Sequence, residues 1–471
     1  MPVLGAIAVP HPPLIMPEVG QGEEKVIQKT IDAYRKAMAF VASLKPDTVV
    51  LTSPHAQGWR DYFSISGGAH ASGDFSSFRA PGLEIGCDYD EELAKSVESG
   101  MKDAGIRGGI SPYSQEPLDH ASMIPLRFLS EAMSEVKVLR ISLSGFSPII
   151  HYRLGQVVAR SADKLGRRIV MIASGDLSHK LMAEGPYGFS PEGPVFDSQI
   201  CSVFESCDFM KLLKFDPAMC DDAAECGYRS FLIMAGALDS LAVKGTLLSY
   251  EGPFGVGYGV ATFEITGKDP SRNFGDQYEE KERAEASARF EKQDQVVTLA
   301  RQTVEAVVKN AKLLRDEGYE AVRRHFPEVP ESLQHVKASC FVTLHKFGQL
   351  RGCIGTLSPI SDCLGEEIQR NAMSACTADP RFEPVTEDEL PYLEYSVDVL
   401  STPEHIDSES ALNPKIYGVI VSKGARRGVL LPDLEGVDTV GKQLSIAKQK
   451  AGLEPDEPDC ELMRFTVKRH F

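Results

Sequence analysis

No stretch of this chain reads as a membrane span. Its apolar runs all fall short of the roughly 18 residues that a crossing helix needs. The apolar opening, residues 1–17, carries no basic flank and is broken by prolines and by His11, so it does not read as a signal peptide. Cysteine occurs ten times but never as a CxxC pair or at regular spacing, so zinc-finger and iron–sulfur frameworks are missing. That pattern points to reduced thiols and a cytoplasmic setting. Basic charge is scarce: 50 Lys and Arg stand against 67 Asp and Glu, a net charge of −17. Phosphate binding requires basic patches, so nucleic acid is not the expected partner. Repeats and low-complexity tracts are also lacking. What is present is an ordinary composition, 42% hydrophobic and 25% charged over 471 residues, enough for two or three domains.

The first domain is organised around residues 168–179. Ile169, Val170, Met171 and Ile172 read as a short strand buried on both faces, as in a parallel sheet. The run breaks at Ser174 and Gly175 and then presents Asp176 and His179. Ligands of open α/β sheets bind beyond the carboxyl ends of the strands, so this pair is a candidate for proton transfer. Two earlier strands end the same way. Residues 3–9 run into His11-Pro12-Pro13, where proline stops the ladder. Residues 47–52 run into Ser53-Pro54-His55. Residues 22–43 read as an amphipathic helix between them, and residues 136–143 as a further strand. Three strand ends converging on one sheet edge would gather several imidazoles, which is how a metal site is built. His120 stands just ahead of another expected helix. Glu225 lies near the start of an apolar helix, where it serves either the helix dipole or the metal. Gly255, Gly257 and Gly259 open no helix and are read as turn and strand packing, not a dinucleotide fingerprint.

The residues Val9 to Pro13, Ser53-Pro54-His55, Asp119-His120, Ser174 to His179 and Glu225-Cys226-Gly227 resemble the class III extradiol dioxygenase (LigB-like) superfamily, which includes the Memo proteins. The resemblance covers residues 1–266. It implies an α/β fold with a mixed or parallel central sheet flanked by helices. It also implies a divalent metal, Fe(II) first and Mn or Zn otherwise, held by His11, His55 and Glu225 with open positions for substrate and oxygen. His179 would be the acid/base residue, Asp176 would orient it, and His120 would touch a substrate oxygen. Memo-like relatives use the cysteine of the Cys-Gly step, so Cys226 is the alternative third ligand, with Glu251 behind it; the carboxylate at 225 is favoured because it preserves the dioxygenase pattern.

Residues 267–289 turn polar and charged and read as a linker, part flexible and part exposed helix. Residues 290–471 alternate as a second, α+β domain. Leu350 to Thr356 (including Arg-Gly-Cys-Ile-Gly), Asp379 to Phe382, Tyr395 to Leu400 and Leu430 to Pro432 resemble the AMMECR family domain. Its genes accompany Memo-like and radical SAM proteins, which implies a shared pathway. Cys353 between two glycines is read chiefly as structural or pocket-lining, with a nucleophile activated by His345 as the alternative. Arg351 and Arg381 are read either as anion holders or as salt-bridge partners.

The expected function is a metal-dependent enzyme on a small cyclic or aromatic oxygenated substrate, by extradiol ring cleavage. The alternatives are oxygen-independent hydrolysis or C–C cleavage at the same site, and a non-catalytic, Memo-like metal-binding scaffold. The expected partner is a small molecule, with neither membrane nor nucleic acid; self-association stays open.

Overall fold

A computed structural model describes residues 2–111, 116–434 and 436–471. The chain divides into two compact units, Met1–Glu280 and Lys281–Phe471. In the first, β1 (Val3–Val9), β2 (Thr48–Ser53), β3 (Phe63–Ile65), β6 (Gly108–Ile110), β7 (Lys137–Ser142), β8 (Ile169–Ser174), β9 (Leu241–Glu251) and β10 (Tyr258–Lys268) form one sheet. A separate hairpin pairs β4 (His70–Phe75) with β5 (Ala80–Asp88). The large sheet runs in the order β6-β3-β7-β2-β8-β1-β10-β9. Its centre, β7-β2-β8-β1, is parallel, while β10 and β9 close one side antiparallel. The fold is therefore the expected mixed sheet between helices.

Every residue of β2 and of β8 is buried, and so is β1 apart from Leu4. Fully burying one Val, Ile or Met is worth ~1.5–3 kcal/mol, so these runs can only be central strands. The helices Gln28–Leu44 and His120–Ala132 pack against one another by stacking Tyr34 on Phe128, with ring centroids 4.3 Å apart. Residues 56–111 contain elements that hydrophobic periodicity did not reveal, including β3, the β4–β5 hairpin and the helix Glu91–Asp103. The burial of β5 explains why: it alternates half-buried with exposed positions, and its apolar signal is thin.

The register decides where the site forms. Val9 pairs with Ser174 and Thr52 with Ala173, so β1, β8 and β2 end level. His11 lies two residues past Val9, Asp176 two past Ser174, and His55 two past Ser53. Adjacent parallel strands thus deliver the three side chains at one depth beyond the sheet.

The stretch expected as a linker holds the end of β10, a turn at Pro270–Arg272 and the helix Phe274–Phe290. The division between units falls inside that helix. Its polarity is that of a solvated helix: Arg153 pairs with Asp276 at 2.9 Å and with Glu279 at 2.7 Å. The second unit holds two four-stranded antiparallel sheets. One is β12-β11-β13-β18, from Cys340–Lys346 (β11), Gln349–Gly355 (β12), Leu393–Leu400 (β13) and Val467–His470 (β18). The other is β14-β17-β15-β16, from Glu404–Ile406, Glu461–Phe465, Gly418–Lys423 and Arg426–Leu430. The helices Gln295–Lys309 and Leu364–Thr377 cover the first sheet, so this unit is α+β as expected.

Candidate metal centre

His11 is buried, and its ring is fixed from behind. The Ser174 hydroxyl donates to the Ala121 carbonyl at 2.7 Å, which uses its single proton. Ser174 Oγ must therefore accept from His11 Nδ1, 3.0 Å away. That assigns the Nδ1–H tautomer and leaves Nε2 with a bare lone pair. Nε2 faces Cys226 Sγ at 3.5 Å. The Asp176 carboxylate accepts from the His11 backbone N–H at 2.7 Å and holds the strand exit in place.

The same logic applies to His179. Its Nδ1 contacts the Ala224 carbonyl, which can only accept, so Nδ1 carries the proton and Nε2 is bare. Burial lowers the imidazole below its ordinary value, with the Ala224 bond working against it and His55 adding to it, so the ring is neutral near pH 7. His120 begins the helix His120–Ala132, capped by Asp119. Its ring lies 4.3 Å from His55 and 5.4 Å from His11 between centroids. Burial first, then His55, pushes it down to about 4. Asp119 ties this corner together: Ser53 Oγ donates to it at 2.6 Å, and the fully buried Arg140 reaches it at 3.4 Å.

Among the described residues, two triads have ligand atoms all within 4.8 Å of one another: His11, His55 and Cys226, and Asp176, His179 and Cys226. Glu225 belongs to neither. Its carboxylate turns back to accept from the Tyr228 N–H at 2.6 Å, at the start of the helix Tyr228–Ala237. The helix start takes Glu225, the favoured third ligand, and it is the alternative, Cys226, that stands with His11 and His55. Glu251 is also elsewhere, accepting from the Thr30 backbone and hydroxyl at 2.8 and 2.6 Å.

The donor set fits a divalent cation. Two imidazoles and a thiol stand close enough for one ion, and His11 has its free nitrogen already aimed. The Asp176 N–H donates to Cys226 Sγ at 3.3 Å, which favours thiolate, but burial outweighs it and pushes the thiol well above its ordinary value, so the sulfur would lose its proton to a bound cation. A sulfur donor shifts the preference toward softer ions than a carboxylate would.

Glycine makes this corner possible. A Cβ on Gly175 would lie 2.1 Å from Gly227 Cα, so the loops bearing Asp176 and Cys226 touch backbone to backbone. Gly257 exchanges 2.8 Å backbone bonds with Leu177 and Ser178, and a Cβ there would meet Asp197 at 2.1 Å. The glycine series serves this packing. Two aromatic neighbours went unread in the sequence: Tyr187, 5.1 Å edge-on to His179, and Phe78, 5.2 Å edge-on to His120. Tyr187's one signal was its place in the Gly/Pro-rich loop after His179; at 61% exposed it packs into no core.

Residues 5–261 match the family described as the catalytic LigB subunit of aromatic ring-opening dioxygenase. The chain belongs to the LigB family. Residues 297–470 match the AMMECR1 family, so the LigB domain is joined to an AMMECR1 domain. Protein CA_C1420 of Clostridium acetobutylicum is 37% identical over 100% of this chain and 99% of its own length. A Thermotoga maritima protein is 57% identical over 30% of this chain and 82% of its own. Two crystal structures are also similar. Uncharacterized protein PH0010 from Pyrococcus horikoshii has a TM-score of 0.32 and 31% identity, covering 37% of this chain and 88% of that one. Uncharacterized protein JW3007 from Escherichia coli K12 has a TM-score of 0.39 and 15% identity, covering 55% and 99%.

In the AMMECR1 domain, Cys353 sits on β12 opposite Thr343, whose hydroxyl donates to its sulfur at 3.1 Å. Its N–H donates to Asp379 at 2.9 Å. The two arginines have carboxylate partners within the domain, Arg351 with Glu389 and Arg381 with Asp379, at 2.8 and 2.7 Å. Among the described residues no helix is long and apolar enough to cross a membrane.

Proposed function

We propose that the LigB domain is a metal-dependent enzyme that ionises a hydroxyl of a small ring compound and opens the ring, with dioxygen as co-substrate. The observation that carries this reading is the bare Nε2 of a neutral His179 beside the His11–His55–Cys226 triad. A divalent cation, once bound by that triad, supplies Lewis acidity that makes a substrate hydroxyl easier to ionise. His179 Nε2 accepts the hydroxyl proton, while the Ala224 carbonyl keeps Nδ1–H in place and stabilises the imidazolium that results. His120, neutral and beside His55, can donate a hydrogen bond to a second substrate oxygen. Tyr187 and Phe78 offer apolar edges to a ring compound.

A second reading draws on one specific feature, the sulfur donor. Cys226 favours ions such as zinc, which do not activate oxygen, and the same His179 could then serve hydrolysis or C–C cleavage. The test starts with metal analysis of anaerobically purified protein, followed by oxygen uptake with a panel of catechols. Bound iron and substrate-dependent oxygen consumption, lost by about 10²–10⁴-fold in His179→Gln, are the expected result. Turnover of a ring compound under argon would transfer the assignment to the second reading. Bound metal with no turnover in either atmosphere would overturn both.

A further inference from the structure

Five potential ligands line this corner, and they do not form one shell. They fall into two triads that have only Cys226 in common. We propose that Asp176, His179 and Cys226 form a second position for a thiophilic divalent cation, with the Cys226 thiolate bridging it to the first. The inference rests on the reading of His11, His55 and Cys226 as the first position.

The second triad has the features of a built site. His179, like His11, donates from Nδ1 to a protein acceptor and leaves Nε2 bare, the pattern that orients metal-bound imidazoles. Asp176 is held from the other side by the His11 N–H, so its carboxylate cannot swing away from the cluster. Cys226 receives the Asp176 N–H, and its sulfur retains further lone pairs to share between two ions. The backbone contact between Gly175 and Gly227 keeps the loop of Asp176 and His179 against the loop of Cys226.

Occupation of the second position would change what the site does. It takes the His179 lone pair that the base needs, so the chain with only the first position filled is poised for proton transfer and the chain with both filled is not.

The experiment is a Co(II) titration of the metal-free, tag-free full chain, read by thiolate-to-cobalt absorption and by metal counting after gel filtration. The wild type is expected to hold about two ions per chain, and His179→Ala about one. His55→Ala should also hold about one, and Cys226→Ser should weaken both positions. His179→Gln serves as a second variant, and circular dichroism checks that each is folded. A single ion in the wild type that His55→Ala abolishes would overturn the second position and leave the first standing. Two ions in both His179 variants would also overturn it. Cobalt binding untouched by His55→Ala and Cys226→Ser would instead sink the first position, and the inference with it.

Discussion

His11 and His179 are each locked through Nδ1, one by a serine hydroxyl whose proton is already used, the other by a backbone carbonyl. This sets the tautomer without any charged partner, so both rings remain neutral donors of a lone pair. The choice between Glu225 and Cys226 is equally local. The chain turns through left-handed backbone at Ala224 (φ 51°), and the next two side chains then diverge. One carboxylate is spent on the Tyr228 N–H, and one sulfur faces His11. Cys226→Ser is therefore expected to weaken divalent metal binding by at least ~10²-fold, beyond the range typical of outer-shell changes, while Glu225→Gln should change it by less than about tenfold. Competitive chelator titration measures both. An inverted order would restore the carboxylate as ligand.

At the scale of elements, the site depends on three strands ending level and on two loops closing over them. The level ends follow from register, and a slip of one residue would turn a histidine to the other face of the sheet. Loop closure depends on Gly175, where an added methyl would sit 2.1 Å from Gly227 Cα. Gly175→Ala should cost about 1–3 kcal/mol through overpacking and weaken metal binding by separating Asp176 from Cys226. Gly82, where an added methyl would meet no atom within 4 Å, serves as the control: Gly82→Ala should leave metal binding unchanged. Thermal unfolding with and without metal compares the two. The strand exits were legible because proline stops strands, and His11 and His55 both stand beside one. The loop-on-loop contact was not, because a glycine needed for close approach looks the same in sequence as one needed for a turn.

At the scale of the whole molecule, the two units need not share one acid stability. In the AMMECR1 domain, burial raises the Glu389 carboxyl, but hydrogen bonds from Arg351 and the charge of Lys346 outweigh it and hold the group at about 2. The folded value lies below the ordinary 4.5, so the unfolded chain takes up the proton first as pH falls. The stabilisation is thus present above about pH 4.5 and is lost on the way down to about 2, amounting to about 2 kcal/mol by pH 3. Urea unfolding followed by amide exchange in β11 and β13 should show this loss between pH 6 and pH 3. Glu389→Gln should be less stable at pH 6 and should lack this contribution to the pH dependence. Equal slopes for the two proteins would remove Glu389 from the account.

The sequence by itself determined the two domain types, the central buried strands and the histidines at their exits. These are local facts: hydrophobic runs, prolines that stop them, and motifs short enough to survive intact in the linear order. Only the tertiary structure decided that Cys226 and not Glu225 stands with the histidines, that Tyr187 and Phe78 stand beside His179 and His120, and that the helix in the charged stretch after β10 runs over Phe274–Phe290. Those outcomes depend on which way a side chain leaves a turn and on what packs against it, and neighbouring residues in a sequence carry no record of either.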